Sequence, residues 1–239
     1  MRVQYNLDIA EACATCTVRF ERIFCDLPDD ALKQLDEIKY TTVFPDDVVV
    51  FLEGQEPLGV FIVCAGHVKL FTGSNDGKTL IERVVGPGEV LGLSAVISSR
   101  PYELTAQTLG PCQFQFIKRE DFTRFLSAYG EVCFRAAKLL SCAWHEAHEQ
   151  VRSIALSGSA LERLARVLVA RCTADGESVA EGVRIRLLLT HDELAQLIGS
   201  SRETVTRALG QLRRRQIIES RRSMLLVRDL PALRALAHV

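Results

Sequence analysis

The 239-residue sequence has no run of about 18 uncharged apolar residues, which weighs against a membrane-spanning helix. Its opening residues, Met1 to Asp8, lack the apolar stretch and small-residue cleavage site of a secretory signal. The expectation is a cytoplasmic protein with no membrane partner, whose eight cysteines serve packing, metal or redox chemistry rather than structural disulfides. No serine–histidine–acid set and no paired carboxylates stand out, so enzyme chemistry has no anchor. Lysine is absent from residues 153–239, where 14 arginines meet nine carboxylates for a balance of +5, against −6 over residues 1–152. An acidic front and an arginine-only basic back predict that the back half meets a polyanion, a solvated arginine-rich surface being the plainer alternative. Proline is absent from Arg119 to Val151, although six of the seven prolines precede residue 112.

What is present is ordinary in bulk. With 48% hydrophobic, 25% charged and 7% aromatic residues the chain is globular, and its length suits two domains. Residues 40–118 read as short strands: 48–52, 60–64, 67–71, 79–85 and 104–108 are β-branched or alternate in polarity. Turns at Glu53-Gly54-Gln55, Ala65-Gly66, Asn75-Asp76-Gly77, Gly86-Pro87-Gly88 and Gly110-Pro111 separate them. This rhythm predicts a β-sandwich or barrel. Gly86-Pro87-Gly88 precedes strand residues rather than a helix, so it is a turn and not a phosphate loop.

From Arg119 the period becomes helical, with Gly130 dividing a short helix from a long one. Val132, Ala136, Leu139, Ala143 and Ala147 form an apolar stripe that a lone helix would leave wet. A dimerisation seam is therefore favoured over a rigid spacer. Ser157-Gly158-Ser159 marks the hinge. A helix over 160–172, a polar loop over 173–182 and a strand over 183–189 follow. Thr190-His191-Asp192-Glu193 and Ser200-Ser201-Arg202-Glu203 both have capping-box form, and a short amphipathic helix ending at Gly199 lies between them. Helix, glycine turn and second capped helix make a helix-turn-helix. Residues 217–219 and 224–227 suit the hairpin of a wing. On the second helix, Val205, Leu209 and Leu212 can face the domain. Arg202 and Arg207 can each fork onto guanine, and Glu203 can accept from cytosine. Thr190, Ser200, Ser201, Thr204 and Thr206 suit phosphate contacts. A plain surface helix with a Glu203–Arg207 pair is the alternative.

The run Ile198-Gly199-Ser200-Ser201-Arg202-Glu203-Thr204-Val205-Thr206-Arg207 resembles the CRP/FNR family of dimeric bacterial transcription regulators. So do Gly54-Gln55, Gly66-His67-Val68-Lys69-Leu70 and Gly86-Pro87-Gly88-Glu89-Val90-Leu91-Gly92; together the likeness covers about residues 20–230. It implies an α+β chain: an N-terminal cyclic-nucleotide-binding-like β-roll (jelly roll), a long central dimerisation helix and a C-terminal winged helix-turn-helix. The implied division is a cysteine-containing segment at 1–26, a β-roll sensor at 27–130, the dimerisation helix at 131–156 and the DNA-binding domain at 157–239. Double-stranded DNA, a second copy of the chain and RNA polymerase are the implied partners. Arg202, Glu203 and Arg207 would read a palindromic TGTGA-like half-site. FNR members usually have an apolar residue where Arg202 stands, so this helix is of the CRP kind.

The effector is less determined. Family members that bind cyclic AMP carry a glutamate for the ribose and an Arg-Ser or Arg-Thr pair for the phosphate. Those positions fall here on Leu93 and on Glu103-Leu104, and a carboxylate there would repel the anion. This weighs against cyclic AMP, although Arg100 stands nearby. Cys13-Ala14-Thr15-Cys16 with Cys25 and Cys112 resembles the FNR arrangement that holds a 4Fe-4S cluster, though its C-x2-C-x8-C spacing is longer than the best-known pattern. Alternation places Cys112 on a buried face with Phe114 and Phe116, which would make it a packing residue. A dithiol redox switch or zinc site at Cys13 and Cys16, or no cofactor at all, stay open. So does a regulator that senses another small effector or nitric oxide without a cluster. His145 and His148 with Glu146 and Glu149 suit either a metal or a polar helix face. Cys64, Cys133, Cys142 and Cys172 are read as packing residues. Two further classes are weaker. A cyclic-nucleotide module acting on a partner protein does not need the helix-turn-helix, and a thiol oxidoreductase needs its Cys-x-x-Cys after a strand.

Overall fold

The computed structural model describes residues 3–4, 7–8, 12–16, 19–74, 76–156, 158–221 and 224–238. Ser157 of the expected hinge and residues 222–223 of the expected wing turn lie outside these. The chain forms two compact units, Met1–Ala147 and His148–Val239, with the division inside a helix.

In the first unit a small hairpin, β1 (Val3–Gln4) and β2 (Leu7–Asp8), precedes α1 (Asp29–Ile38). Then come β3 (Lys39–Phe44), β4 (Val49–Phe51), β5 (Gly59–Ala65), β6 (Val68–Gly73), β7 (Thr79–Val85), β8 (Val90–Leu91), α2 (Leu93–Ser98), β9 (Thr105–Thr108), β10 (Cys112–Lys118), α3 (Arg119–Ala128) and α4 (Gly130–Leu156). Two four-stranded antiparallel sheets result, ordered β3-β10-β5-β8 and β4-β9-β6-β7. Together they make the expected β-roll. The sequence reading passed over β1, β2, α1, β3, β8 and α2, each of ten residues or fewer.

The two-residue period of strands separates two cores. Phe61 and Val63 of β5 and Cys112 and Phe114 of β10 lie with Phe51, Leu70, Tyr102 and Ala106 between the sheets. Val60, Ile62 and Ile117 instead join Phe24, α1, α3 and α4 on the other face of the first sheet.

That second core corrects the expected seam. Val132, Ala136 and Leu139 of α4 are only 0%, 2% and 9% exposed, packed against α1, α3 and the sheet of their own chain. Ala143 and Ala147 are half-buried. The apolar stripe is real, but it is covered by the protomer's own roll. Phe134, Ala137, Ser141, Trp144, His148, Val151 and Ala155 point outward instead, all exposed and spaced alternately three and four residues apart. This is the a/d spacing of a two-helix seam. Its large apolar members, Phe134, Trp144 and Val151, are 56%, 73% and 63% exposed.

The second unit contains α5 (Ala160–Asp175), β11 (Glu177–Val179), β12 (Gly182–Arg186), α6 (His191–Leu197), α7 (Arg202–Arg214), β13 (Ile218–Arg221), β14 (Met224–Val227) and α8 (Leu230–Ala237). Its sheet runs β11-β12-β14-β13, so the loop expected over 173–182 contains a strand. Ser159 caps α5, its hydroxyl accepting from the Glu162 N–H at 3.1 Å. Leu164, Leu168, Leu194, Val205, Leu209, Leu212 and Leu233 are buried in this unit. Two side chains fix the end of α6: Gln150 Nε2 donates to Leu197 O at 2.7 Å and Arg163 Nε to Ile198 O at 2.7 Å.

Candidate functional site

The helix pair α6–α7 is built by its caps. The Thr190 hydroxyl accepts from the Glu193 N–H at 3.2 Å, and the Glu193 carboxylate accepts from the Thr190 N–H at 2.9 Å, completing the first capping box. Gly199 then takes φ +59°, a left-handed conformation that closes the turn without a Cβ penalty. The Ser200 N–H returns to Ala195 O at 2.9 Å. The cap of α7 is Ser201, accepting from the Thr204 N–H at 3.3 Å, so the expected second box from Ser200 to Glu203 does not form. Ser200 belongs to the turn, and the one-residue shift makes Thr204 the third helical residue.

Along α7, Val205, Ala208, Leu209 and Leu212 are buried, while Arg202, Glu203, Thr206 and Arg207 are exposed. The Thr206 hydroxyl donates to Arg202 O at 2.9 Å and lies 3.0 Å from His191 Nδ1, bracing the two helices. Arg207 Nη2 donates to Thr204 Oγ1 at 3.1 Å, which orients the fork and leaves its other donors outward. Glu203 is fully exposed; its own backbone N–H and the Ser201 hydroxyl hold its carboxyl below the usual range, so it stands as an ionised acceptor. Of the eight residues expected here, Arg202, Glu203 and Arg207 are exposed on the outer face of α7. The hydroxyls of Thr190, Ser201, Thr204 and Thr206 hold the motif's geometry. At the far end Arg213 Nε donates to Ser220 Oγ at 3.1 Å, tying α7 to the β13–β14 wing.

In the first unit, a cavity of about 240 Å³ lies between the roll and α4. Glu82, Arg83, Glu89, Leu93, Glu103 and Leu104 are among its lining residues. Among the described residues that line it, Arg83 is the one cation, set 2.6 Å from Glu146 and 3.7 Å from Glu89. Burial raises the Glu82 and Glu89 carboxyls, against the opposing pull of Arg83.

A second, small cavity is lined by Cys13, Cys16, Cys25 and Cys64, with Arg19, Arg22, Ile62 and Gln115 among its other walls. The Cys13 N–H donates to Asp36 Oδ1 at 2.8 Å, and Lys39 Nζ donates to Cys13 Sγ at 3.4 Å. Arg22 Nη1 donates to Cys64 O at 3.1 Å. Burial raises the Cys13 thiol despite Lys39, and pushes Cys25 to about 11 and Cys64 to about 12.

Cys112 is elsewhere, which corrects the expected ligand set. It is buried between the sheets, where its Sγ donates to His67 O at 3.1 Å. It sits beneath Gly66, whose φ of +86° admits no ordinary side chain and where a Cβ would strike that sulfur. Among the described residues no three His, Cys, Asp or Glu side chains gather as a single-ion site. That includes the helix pair His145 and His148, whose neighbours Glu146 and Glu149 are engaged by Arg83 and Arg152.

Residues 41–129 match the cyclic nucleotide-binding domain family and residues 162–236 the Crp-like helix-turn-helix domain family. The chain belongs to the CRP/FNR family of transcription regulators. It is 24% identical over 193 residues to the anaerobic regulatory protein of Bacillus subtilis, covering 80% of this chain and 81% of that protein. It is 23% identical over 207 residues to a CRP-like cAMP-activated global transcriptional regulator of Mycobacterium tuberculosis, covering 87% and 92%. The structure of FixK2 from Bradyrhizobium japonicum superposes with a TM-score of 0.75 at 22% identity, over 83% of this chain and 97% of that one.

As a CRP/FNR chain it is a DNA-binding regulator rather than an enzyme, from a family that acts as dimers. No helix among its described residues is long and apolar enough to cross a membrane. Sequence reasoning missed Cys64 as a pocket residue and the outward stripe of α4. The signal for the first was parity, since Cys64 shares a strand face with Val60 and Ile62. For the second it was the three-and-four spacing from Phe134 to Ala155, in which Ser141 and His148 interrupt the apolar residues.

Proposed function

We propose that the protein is a homodimeric, sequence-specific transcription regulator that places two copies of α7 in successive major grooves of a palindromic TGTGA-like site. The observation that carries this reading is the outward set Arg202, Glu203 and Arg207 on a capped helix whose opposite face is buried. Guanidinium forks suit guanine, and an ionised carboxylate suits the cytosine amino group. The dimer forms on the outward stripe of α4, Phe134 to Ala155, because the inward stripe is already covered. The N-terminal cysteines respond to oxygen or redox state and bias the pose of the two DNA-reading units, with RNA polymerase as the downstream partner. The other small-molecule site is the roll cavity, whose three glutamates against one engaged arginine argue against a cyclic phosphate.

The test is a binding titration of the full-length dimer against a palindromic TGTGA duplex and a scrambled one, at two salt concentrations. The palindrome should bind at least ~10³-fold tighter, with both affinities falling steeply with salt. Equal affinity for the two duplexes overturns the reading.

A further inference from the structure

We infer that Cys64, not Cys112, completes a four-thiolate iron–sulfur centre with Cys13, Cys16 and Cys25. The inference rests on the redox-sensing reading above and names the residues that would carry it.

Four thiols from three separate parts of the chain converge on one cavity: the 12–16 loop, the turn at Cys25 and strand β5. Among the described residues no histidine or carboxylate lines that cavity, and their donor set is sulfur, the set that iron–sulfur clusters take. Neutral thiols need no counter-charge, yet Arg19 and Arg22 line the cavity, and Lys39, already paired with Asp36 at 2.7 Å, donates onto Cys13 as well. Four thiolates on an iron–sulfur cube form an anionic centre, and these cations offset it. Arg19 Nη1 is buried without a hydrogen-bond partner, a costly state that a thiolate or cluster sulfide would relieve.

The strand period decides between the two candidate fourth ligands. Cys64 shares its face of β5 with Val60 and Ile62, towards α1 and the N-terminal segment. Cys112 shares its face of β10 with Phe114, in the core between the sheets. To join the other thiols its sulfur would have to cross the sheet.

The cavity is about 20 Å³, room for about one water, so seating a cluster requires the 12–16 loop to shift outward. Backbone donors of that loop rest on one carboxylate, with Cys13 N at 2.8 Å and Ala14 N at 3.3 Å from Asp36. On binding, each thiol releases its proton to water and donates a sulfur lone pair to a different iron. Ligands of four different irons stand farther apart than ligands of one ion.

The experiment is anaerobic reconstitution of full-length protein with equal amounts of ferrous and ferric iron and with sulfide, followed by assay of iron, acid-labile sulfide and visible absorption. Wild type and Cys112→Ser should each hold about four iron and about four sulfide per subunit. Cys64→Ser should retain no cluster after desalting while keeping the wild-type circular dichroism. Should Cys64→Ser fail to fold, thiol alkylation of wild type replaces it. Cys64 should then be shielded from the reagent in the reconstituted protein and modified after air has destroyed the cluster. A full cluster in Cys64→Ser, loss in Cys112→Ser, or equal labelling of Cys64 before and after air overturns the assignment. So does wild type that takes up only zinc or no metal. Palindrome binding is measured alongside for both apo and reconstituted protein. Failure of both, with the cluster formed in the second, refutes the DNA-reading proposal and leaves the ligand assignment standing.

Discussion

Two alanine substitutions one and a half turns apart on α4 should have opposite consequences. Leu139 is 9% exposed within its own protomer's core. Leu139→Ala should therefore cost about 2–5 kcal/mol of fold stability, the usual price of a truncated core leucine. Trp144 is 73% exposed on the same helix. Removing it takes nothing from the monomer's core but removes the largest side chain of the outward seam. A two-fold interface uses each residue twice. An aromatic anchor at its centre is worth about 2 kcal/mol or more, so the loss over both copies is about 4 kcal/mol. At 1.4 kcal/mol per decade this raises the dimer dissociation constant about 10³-fold. Sedimentation equilibrium gives the dissociation constant, and urea melts followed by circular dichroism over a range of protein concentrations separate fold from association. Trp144 is the only tryptophan, so its emission in wild type should shift to the red as the dimer is diluted. If Trp144→Ala sediments as a wild-type dimer, or if Leu139→Ala dissociates the dimer with its melt unchanged, the assignment of the two faces is wrong.

Arg202→Ala should weaken binding to the preferred palindrome by about 1–3 kcal/mol per contacted base pair and relax preference at that pair alone. A uniform loss on all sequences, measured across a panel of single-substituted duplexes, would reduce Arg202 to a phosphate contact. Cyclic AMP should change neither the thermal melt nor palindrome affinity, because Glu82, Glu89 and Glu103 oppose an anion in a cavity where Arg83 is already engaged. A calorimetric titration with a saturable heat would show that reading to be false.

The parts of the fold readable from sequence were those with local causes. The capping box at Thr190 and the buried Val205, Leu209 and Leu212 follow from spacing over one or two turns, and the structure keeps them. The alternation that put Cys112 beside Phe114 was equally readable and equally correct. What spacing cannot state is which layer each face will meet. An apolar stripe such as Val132–Ala136–Leu139 has the same period whether it covers another protomer or its own roll. Only the return of α1 and α3 over the sheet decides. The same long-range closure brings the 12–16 loop to the face of β5 that carries Cys64, although 47 residues of chain lie between Cys16 and Cys64. The cap of α7 moved by one residue because Ser200 is needed to close the preceding turn, a competition between neighbouring motifs that neither motif shows alone.

In the proposed regulation the cysteine pocket must act on α4, the proposed dimer helix, and Arg135 supplies a contact of the right kind. From α4 its Nη1 donates to Ile23 O at 2.8 Å and its Nη2 lies 3.4 Å from Asp26 Oδ2, so it grips both sides of Cys25. Its Nε donates to Glu131 at 2.8 Å, which holds the fork in place. Cys13 and Cys25 also pack against the core that contains Val132, Ala136 and Leu139. A shift of the cysteine segment therefore acts on the inward face of α4, and Phe134, Ala137, Ser141 and Trp144 of its outward face belong to the same unit. Allosteric coupling of this kind is worth about 1–3 kcal/mol, or roughly 5–150-fold in affinity. Arg135→Ala should leave reconstituted iron content at the wild-type level while the difference in palindrome affinity between anaerobic and air-exposed protein collapses toward unity. Arg135→Lys, which keeps the charge but not the fork, should restore part of that difference. An undiminished difference in Arg135→Ala, with normal iron content, would mean that the pocket reaches α4 through the apolar core alone.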